Sequence, residues 1–580
     1  MEFFDNLSTR WTRARNRLAA WRAAMGRPAT AFISQPEPRT IGSYARGRQL
    51  SAGNFLFAGH LLQDPDAGMW DLAPPDTAFA EALHGFGWLD DLAAAGDAKA
   101  QARAQEWLWR WIVLYGGGHG PGWTPDLTGR RLIRWISHAL FVLRGQDSEA
   151  SHAFYQSLAA QTEFLGRRWK ASAPGLPRFE ALTGLIYAGI SLEGMDGHIA
   201  PAVAALDREC EAQIDAQGGL PTRNPEELLD VFTLLTWVAV ALGESRHSVS
   251  NAHWQAIERI APTLRTLRHA DGGLARFHGG GRGLPGRLDH ALANSGVKGR
   301  APDGLSMGFA RLSAGRTSVI VDAAPPPTGK ASADGHASTL AFELTSGRRP
   351  LIVNCGSGAN FGMDWRRAGR ATPSHSTLVV DERSSARTAP ARGSREFLVS
   401  APRRVPIEVS QAPDGLRFEG GHDGYLKEYG LTHVRKLELT FDGRGLAGED
   451  MLLALDDADK RRFDRALDAT GLGGIPYEIR FHLHPDVDVS LDMGGSAVSM
   501  ALMSGEIWVL RSDGSADMSV ESSVYMEKTR LKPRATKQIV LSCRAMEYAT
   551  RTRWSLAKPQ DSPVAVRDLG QDSLDLVTED

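Results

Sequence analysis

Apolar side chains recur at helical spacing through the first half of the chain. In segments 78–95, 128–143, 178–193 and 225–242 they stand three and four positions apart, and short breaks marked by Gly and Pro separate the segments. Helices joined by such short turns pack as antiparallel pairs. The pattern predicts a helical domain over residues 60–300.

After Pro285 the pattern becomes that of β-strands. Runs such as 317–323, 339–346, 376–382 and 433–441 alternate or are β-branched, with Gly, Asp and Asn between them at hairpin-like intervals. An antiparallel β domain is therefore predicted over residues 310–555. The Gly-rich run 278–283 (HGGGRG) is interpreted as a flexible connection between the domains. Residues 556–580 are predicted to form a solvated acidic tail.

A separate amphipathic helix is predicted over residues 2–27, within an N-terminal segment that spans residues 1–59. Its apolar stripe is formed by Phe4, Leu7, Trp11, Ala14, Leu18, Trp21 and Met25, and five arginines lie mostly off that stripe. A basic amphipathic helix can lie on an anionic membrane. We favour the alternative that it packs on its own domain or on a second subunit. Packing on a second subunit would make the protein a homodimer.

Composition narrows the class of protein. Among 580 residues, 66 Lys and Arg balance 68 Asp and Glu, which leaves no basic field for nucleic acid. Three cysteines cannot form a disulfide framework. No run approaches the ~18 apolar residues of a transmembrane span. Arginines interrupt the N-terminal apolar runs, so no signal peptide is visible.

Several stretches carry a family resemblance. They are DGHASTLAFELTSGRRPLIVNCGSG (334–358), DWRRAGRATPSHSTLVVDE (364–382), HDGY (422–425), RFHLHP (480–485), HGFGWLDDL (84–92) and GRRLIRWISHA (129–139). Together they resemble the heparinase II/III-like family over roughly residues 75 to 550. The resemblance implies an α+β multidomain chain, in which an incomplete (α/α) toroid is followed by an antiparallel β-sandwich. It also implies β-elimination on a uronate-containing polysaccharide in a cleft between the two.

This reaction needs a group that neutralises the uronate carboxylate, a base for the C5 proton and an acid for the leaving oxygen. The resemblance places His336 and His375 at the family's histidine positions. Tyr425 and His422 supply a further base or acid, and Arg370 suits a carboxylate. These five residues are the predicted catalytic set, and His336→Ala or His375→Ala is expected to abolish turnover while leaving stability nearly intact.

Substrate contacts are predicted mainly from the helical half. The candidates are His84, Trp88, Trp135, His138, Arg178, Arg223 and Asn224. The family's usual Asn-His pair is replaced by Pro177-Arg178, and the run 217–232 lacks the usual catalytic Tyr. For helix tryptophans, packing in the core is the more common role.

The resemblance also suggests a metal position at His336, Asn354 and His375. A neutral amide is a poor zinc ligand, so no cofactor is required and a structural zinc ion is the alternative.

The leading functional prediction is a polysaccharide lyase acting on an acidic polysaccharide or oligosaccharide. One alternative is a glycoside hydrolase on the same scaffold, which needs two opposed carboxylates. Another is a catalytically silent protein that binds carbohydrate or serves envelope polysaccharides. The resemblance implies a periplasmic or cell-envelope location, and the absence of a visible leader leaves the cytoplasm as the alternative.

Overall fold

A computed structural model describes residues 7–26, 29–65, 68–299, 304–390 and 396–559. The chain divides into two compact units. Unit 1 comprises residues 1–216, 229–261 and 291–297, and unit 2 comprises residues 217–228, 262–290 and 298–580. The ends of the predicted N-terminal helix and the predicted acidic tail beyond residue 559 lie outside the described residues.

Helices make up most of the described part of unit 1. The helices of the chain are α1 (Leu7–Ala24), α2 (Tyr44–Ser51), α3 (Thr77–His84), α4 (Trp88–Ala95), α5 (Ala98–Tyr115), α6 (Pro125–Ser137), α7 (Ala139–Leu143), α8 (Ser148–Arg168), α9 (Leu176–Ser191), α10 (Ile199–Gln213), α11 (Pro225–Glu244), α12 (Asn251–Leu267), α13 (Arg287–Ser295), α14 (Met363–Arg370), α15 (Leu426–Tyr429) and α16 (Asp457–Ala469). None of these described helices is long and apolar enough to cross a membrane.

Aspartates set where several of these helices begin. The side chains of Asp76, Asp97 and Asp147 accept hydrogen bonds from backbone N–H groups in the first turns of α3, α5 and α8. Each satisfies a donor that the helix itself leaves unpaired. Two predicted segments are each two helices in the structure, because Gly85–Gly87 separates α3 from α4 and His138 separates α6 from α7.

Helices α6 and α9 touch through glycine. A Cβ atom on Gly184 would lie only 2.5 Å from the Cα of Gly129, and one on Gly129 would lie 2.2 Å from the carbonyl oxygen of Glu180. The two backbones therefore approach more closely than any side chain permits.

The tryptophans concentrated in the first half build the core of unit 1. Trp88, Trp107, Trp111 and Trp135 are fully buried. Trp135 stacks on Phe154, with ring centroids 5.6 Å apart. Large aromatic surfaces dominate the burial energy of such a core, which accounts for the uneven distribution of tryptophan along the chain.

Strands are the main secondary structure of unit 2. The strands of the chain are β1 (Asn54–Phe57), β2 (His60–Gln63), β3 (Phe309–Ala314), β4 (Thr317–Asp322), β5 (Phe342–Ser346), β6 (Arg349–Val353), β7 (Leu378–Val380), β8 (Arg387–Pro390), β9 (Glu396–Ser400), β10 (Ile407–Gln411), β11 (Gly415–Tyr425), β12 (Leu431–Thr440), β13 (Gly445–Leu453), β14 (Ile475–Leu483), β15 (Asp488–Asp492), β16 (Ala497–Ala501), β17 (Ile507–Ser512), β18 (Asp517–Tyr525), β19 (Arg534–Ala545) and β20 (Ala549–Ala557).

Two large antiparallel sheets form the sandwich of unit 2. One has the order β10-β11-β12-β13-β20-β17-β16-β15, and the other has the order β18-β19-β14-β6-β5-β4-β3, with β7 also paired to β14. Side chains of both sheets meet in one core, where Phe342 of β5 and Trp554 of β20 stack with ring centroids 6.0 Å apart. The predicted fold class, a helical toroid followed by an antiparallel β-sandwich, is confirmed.

Candidate functional site

His336 and His375 lie side by side in the interior of the protein. Nδ1 of His336 is 3.0 Å from Nε2 of His375, and the two side chains are buried, with exposed fractions of 1% and 0%. His375 is placed by a short 3₁₀ turn over Thr372–Ser374 that precedes β7. The structure therefore brings these two predicted catalytic residues into contact, away from solvent.

Backbone groups fix which nitrogen of each ring carries the proton. The N–H of Gly279 donates to Nε2 of His336 over 3.0 Å, so the proton of that ring is on Nδ1 and is donated to His375. His375 in turn donates its Nδ1–H to the carbonyl oxygen of Ala371 over 2.8 Å. These tautomers follow from the hydrogen-bond partners. Both rings are neutral, and all four ring nitrogens have partners.

A third histidine extends this contact. The backbone N–H of His336 donates to Nδ1 of His278 over 3.1 Å, and Nε2 of His278 lies 3.3 Å from a carboxylate oxygen of Asp322. We call His278, His336 and His375 the first histidine cluster. Its members come from the Gly-rich run 278–283 and from two turns of the β domain. The Gly-rich run is therefore packed in unit 2, and its interpretation as a flexible connection is wrong.

Asp322 is anchored by Arg223. A guanidinium nitrogen of Arg223 lies 2.6 Å from Asp322 Oδ1, and Ser338 donates to Oδ2 over 2.6 Å. The same guanidinium donates to the carbonyl oxygens of Met307, Gly308, Ala324 and Pro325. Such a network compensates the cost of removing both charges from water.

The surroundings shift the pKa values of the first histidine cluster downward. Burial lowers the pKa of His375 to about 4. Burial, with His375 and His278 adding to it, holds the pKa of His336 well below its usual value. Burial alone would raise the pKa of Asp322, but Arg223 and His278 outweigh it and lower that pKa. Asp322 therefore stays ionised while the rings stay neutral.

A second histidine cluster is built on adjacent strands of the other sheet. His422 of β11 stands directly opposite His433 of β12, with Nε2 of His422 3.1 Å from Nδ1 of His433. Gly424 N–H donates to Nδ1 of His422, and Nε2 of His433 donates to Asp450 over 2.8 Å. Arg435 completes the arrangement through two hydrogen bonds to Asp450. His422, predicted to be an acid or base, is thus buried in a satisfied network.

Tyr425 lies in the core of the sandwich. Its hydroxyl donates to the carbonyl oxygen of Leu378 over 3.0 Å, and the ring is buried. Burial raises the pKa of the hydroxyl. A catalytic base needs a pKa near the working pH, so the surroundings of Tyr425 act against that role.

Arg370 makes its hydrogen bonds inside unit 2. Its guanidinium donates to the carbonyl oxygens of Gly335, Ser332 and Glu396 and is buried. These donors hold the turn that carries His336, so the arginine positions backbone in this structure.

Asn354, the third residue of the suggested metal position, has both ends of its side-chain amide hydrogen-bonded to protein groups. Its amide nitrogen donates to Glu343 over 3.3 Å, and its oxygen accepts from the backbone N–H of Ser376 over 3.0 Å. Within the described ranges, no group of three or more His, Cys, Asp or Glu side chains is arranged to hold a metal ion.

The predicted binding residues of the toroid lie in its interior. Trp88 and Trp135 belong to the aromatic core, and Nδ1 of the buried His84 accepts from the indole N–H of Trp111 over 3.1 Å. Burial, with the nearby Arg131, lowers the pKa of His84 to about 3. These side chains therefore pack in the core of the helical unit, the more common role for such residues, and are not exposed to a substrate.

The remaining polar candidates of unit 1 are paired within it. His138 lies 2.9 Å from Asp90, and Arg178 lies 3.1 Å from Glu209. In unit 2, the side chain of Asn224 accepts from the backbone N–H of Glu226 and caps helix α11.

Sequence analysis missed the residues that complete both clusters. They are His278, Asp322, His433, Arg435 and Asp450. The alternation of β12 carried a signal, because His433 and Arg435 are two positions apart and must share a face. That face is buried, and a histidine and an arginine on a buried face require an acidic partner.

The neutral rings predict a loss of stability in acid. An unfolded histidine takes up a proton near pH 6.5, whereas burial lowers the folded pKa of His375 to about 4. The unfolded chain therefore binds more protons below that pH, so stability is full above about pH 6.5 and falls as the pH drops toward 4. We expect His375 alone to remove about 1 kcal/mol from the free energy of unfolding between pH 7.5 and 5.5.

Urea unfolding at pH 7.5, 6.5 and 5.5, followed by tryptophan fluorescence, measures this loss. His375→Gln should make the pH dependence shallower, and a change at the exposed His119, His119→Gln, should leave it unaltered. Equal stability of the unaltered protein at pH 7.5 and 5.5 would contradict the expectation. Because the ring is buried and bonded, His375→Ala is now expected to destabilise the fold, contrary to the expectation from sequence.

Comparison with known proteins identifies a family and a relative to which this chain is similar. Residues 297–555 match the family described as heparinase II/III-like, C-terminal. Over 556 residues the chain is 31% identical to FtsZ-localized protein C of Caulobacter vibrioides, a similarity that covers 93% of this chain and 92% of that protein.

Solved structures of lyases share the fold. The chain matches heparinase III with a TM-score of 0.67 at 13% identity, covering 93% of this chain and 89% of that one. It matches a mutant of the heparan sulfate lyase HepC from Pedobacter heparinus with a TM-score of 0.57 at 15% identity, covering 95% and 89%. At these identities the likeness concerns the fold alone.

Proposed function

Because the chain belongs to the heparinase II/III-like family, we propose that it uses a polysaccharide lyase scaffold for a non-catalytic role in association with FtsZ. The observation that carries this proposal is the 31% identity to FtsZ-localized protein C along nearly the whole of both chains. The two lyase structures compared above are 15% and 13% identical to this chain. The proposal takes the cytoplasmic alternative for the compartment, where FtsZ is found.

The state of the predicted catalytic groups supports a non-catalytic role. A base for β-elimination must present a free lone pair to the C5 proton of the uronate. In the first histidine cluster every such lone pair accepts a hydrogen bond. Nε2 of His336 accepts from Gly279 N–H, Nε2 of His375 accepts from the ring of His336, and Nδ1 of His278 accepts from the backbone N–H of His336. Withdrawing one of them would leave a buried donor without a partner, at a cost of about 1–3 kcal/mol.

Lyase activity is the second candidate. It is favoured by the fold and by the two histidines at the positions that the family resemblance assigns to the site. A lyase would take acidic polysaccharides as substrate. An acidic polysaccharide is therefore proposed as a ligand only under this second candidate. Glycoside hydrolysis is less well supported. It needs two opposed carboxylates, and Asp90 in the helical half is buried and held by Arg134 and His138.

One assay separates the two candidates. We expect the purified protein to form no unsaturated uronate from a panel that includes heparin, heparan sulfate, hyaluronan and alginate, with heparinase III as the positive control. The measurement is the ultraviolet absorbance of the unsaturated product. Product that disappears in His375→Gln, a variant whose folding is checked by circular dichroism, would overturn the non-catalytic proposal.

Association with FtsZ is tested separately. A fluorescent fusion in the cells of origin should coincide with labelled FtsZ, and immobilised FtsZ should retain the purified protein. A diffuse fusion together with no retention would contradict this half of the proposal, whatever the lyase assay shows.

A further inference from the structure

A groove crosses the outer face of the sheet that contains β10–β13. It has a volume of about 710 Å³ and is lined by residues of β10, β11, β12, β13 and β20 and of the end of β17. These six strands are consecutive in the sheet. Because neighbouring strands lie about 4.8 Å apart, the groove is about 24 Å long and runs across the strands. We call it the charged groove.

Small side chains form the middle of the charged groove. Ala447 of β13 stands opposite Ser555 of β20, and both are exposed. The two aromatic residues of the lining, Phe418 and Trp554, have their side chains in the core of the sandwich, as the alternation of a strand requires. The exposed lining is therefore polar, with five acidic and four basic residues.

Most of these charged groups are paired with one another. Three ion pairs in the middle of the groove have N–O distances between 2.6 and 3.0 Å, namely Arg417 with Glu438, Lys436 with Glu419 and Arg553 with Glu449. Exposed pairs of this kind contribute at most about 1 kcal/mol each. They can therefore exchange partners with a charged ligand at little cost.

The two ends of the charged groove carry single charges of opposite sign. Glu408 at the β10 end and Arg511 at the β17 end are exposed, and neither has an ion-pair partner in the described part of the chain. Glu408 stands directly opposite Glu419, an unfavourable arrangement of like charges. Arg511 stands opposite Ser555 and Ala497, which cannot neutralise it. Each end therefore favours a ligand group of the opposite charge.

We propose that the charged groove binds an extended segment of a partner protein, with a basic side chain at one end of the segment and an acidic side chain about seven residues away. The basic group pairs with Glu408, and the acidic group pairs with Arg511, whose guanidinium suits a carboxylate. Seven residues of extended chain, at about 3.3–3.6 Å each, cover the length of the groove. The small side chains of Ala447 and Ser555 leave room for the backbone of the segment.

Charge complementarity separates this occupant from others. The five acidic residues of the lining repel the phosphates of a nucleic acid or of an anionic membrane, and equally the carboxylates of a uronate polymer. A second copy of the chain would bring an identical concave surface, and two concave surfaces do not reach the shape complementarity of a stable interface. A polypeptide segment offers both signs of charge on one narrow chain.

Selection of peptides by the full-length protein tests the proposal. Random peptides longer than the groove are displayed on phage and selected on the immobilised protein, and synthetic copies of the enriched peptides are measured by fluorescence anisotropy. We expect enriched peptides to carry a basic and an acidic residue about seven positions apart. The groove variant Glu408→Lys/Arg511→Glu should bind such a peptide at least about tenfold more weakly. It should bind better when the two charged residues of the peptide are exchanged.

A matched control makes the same exchange of charges elsewhere. Arg208→Glu/Glu211→Lys alters two exposed residues of α10 in unit 1 and, like the groove variant, leaves the net charge unchanged. It should bind the selected peptide as the unaltered protein does. Circular dichroism checks that both variants are folded.

Three results would overturn the proposal. The first is the absence of enriched peptides, or their enrichment without the pair of opposite charges. The second is equal binding of the selected peptide by the groove variant and the control. The third is a concentration-dependent dimer, seen by sedimentation velocity, that the groove variant abolishes, because a second copy would then cover the groove. The assays contain no FtsZ and no polysaccharide, so these results are independent of the proposed function.

Discussion

Replacing Arg223 with alanine is expected to lower the free energy of unfolding of unit 2 by about 3–5 kcal/mol, as for other buried ion pairs that lose one partner. The variant leaves the carboxyl group of Asp322 at zero exposure without its guanidinium partner, beside Ser338 and His278. It also removes the donors to four backbone carbonyl oxygens. Chemical unfolding of purified protein, followed by circular dichroism, measures the change.

A surface arginine gives the matched control. Arg417 pairs with Glu438 on an exposed part of the sheet, so Arg417→Ala should cost less than about 1 kcal/mol. If Arg223→Ala unfolds the protein outright, the double variant Arg223→Met/Asp322→Asn removes both charges and should recover part of the stability. A loss from Arg223→Ala no larger than that from Arg417→Ala would contradict the assignment.

Replacing Gly184 with alanine is expected to destabilise unit 1 by about 3 kcal/mol, the upper end for an overpacked site. The new methyl group would lie 2.5 Å from the Cα of Gly129, and only movement of helix α6 or α9 could relieve the clash. Intrinsic helix propensity alone predicts the opposite sign, since alanine is favoured over glycine by up to about 1 kcal/mol.

The control uses the same change in a helix with open space. A Cβ on Gly243 of α11 would meet no atom within 4 Å, so Gly243→Ala should be neutral or stabilising by up to about 1 kcal/mol. Thermal unfolding of the two variants side by side separates packing from propensity. Equal melting temperatures would show that α6 and α9 do not touch at this point.

The fold could be predicted because its signals are local. The change of period after Pro285 and the family-like stretches mark the helical and β parts without any knowledge of contacts. The breaks at Gly85–Gly87 and His138 were missed, since apolar spacing continues across both. When the apolar residues on both sides of a turn keep the same helical spacing, the spacing alone does not reveal the turn.

The site was predicted only in part because its contacts are distant in sequence. His336 and His375 were recognised by motif, and the structure brings them together. Their burial follows from His278 and Asp322, which lie 58 and 14 positions before His336. The glycine-rich run around His278 has a sequence typical of a flexible connection, yet the N–H of Gly279 in this run donates to Nε2 of His336 and so fixes the orientation of that ring. Ring orientation and solvent access depend on such partners, which no local pattern specifies.

The composition of unit 2 bears on how this chain can be cut. The family match begins at residue 297, yet Arg223 and His278, which neutralise and contact Asp322, come from residues 217–228 and 262–290. A fragment that starts at the family boundary would contain the buried aspartate without its counter-ion. The β domain is therefore not a transferable module, and gene fusions or rearrangements that preserve it must carry the upstream segments along.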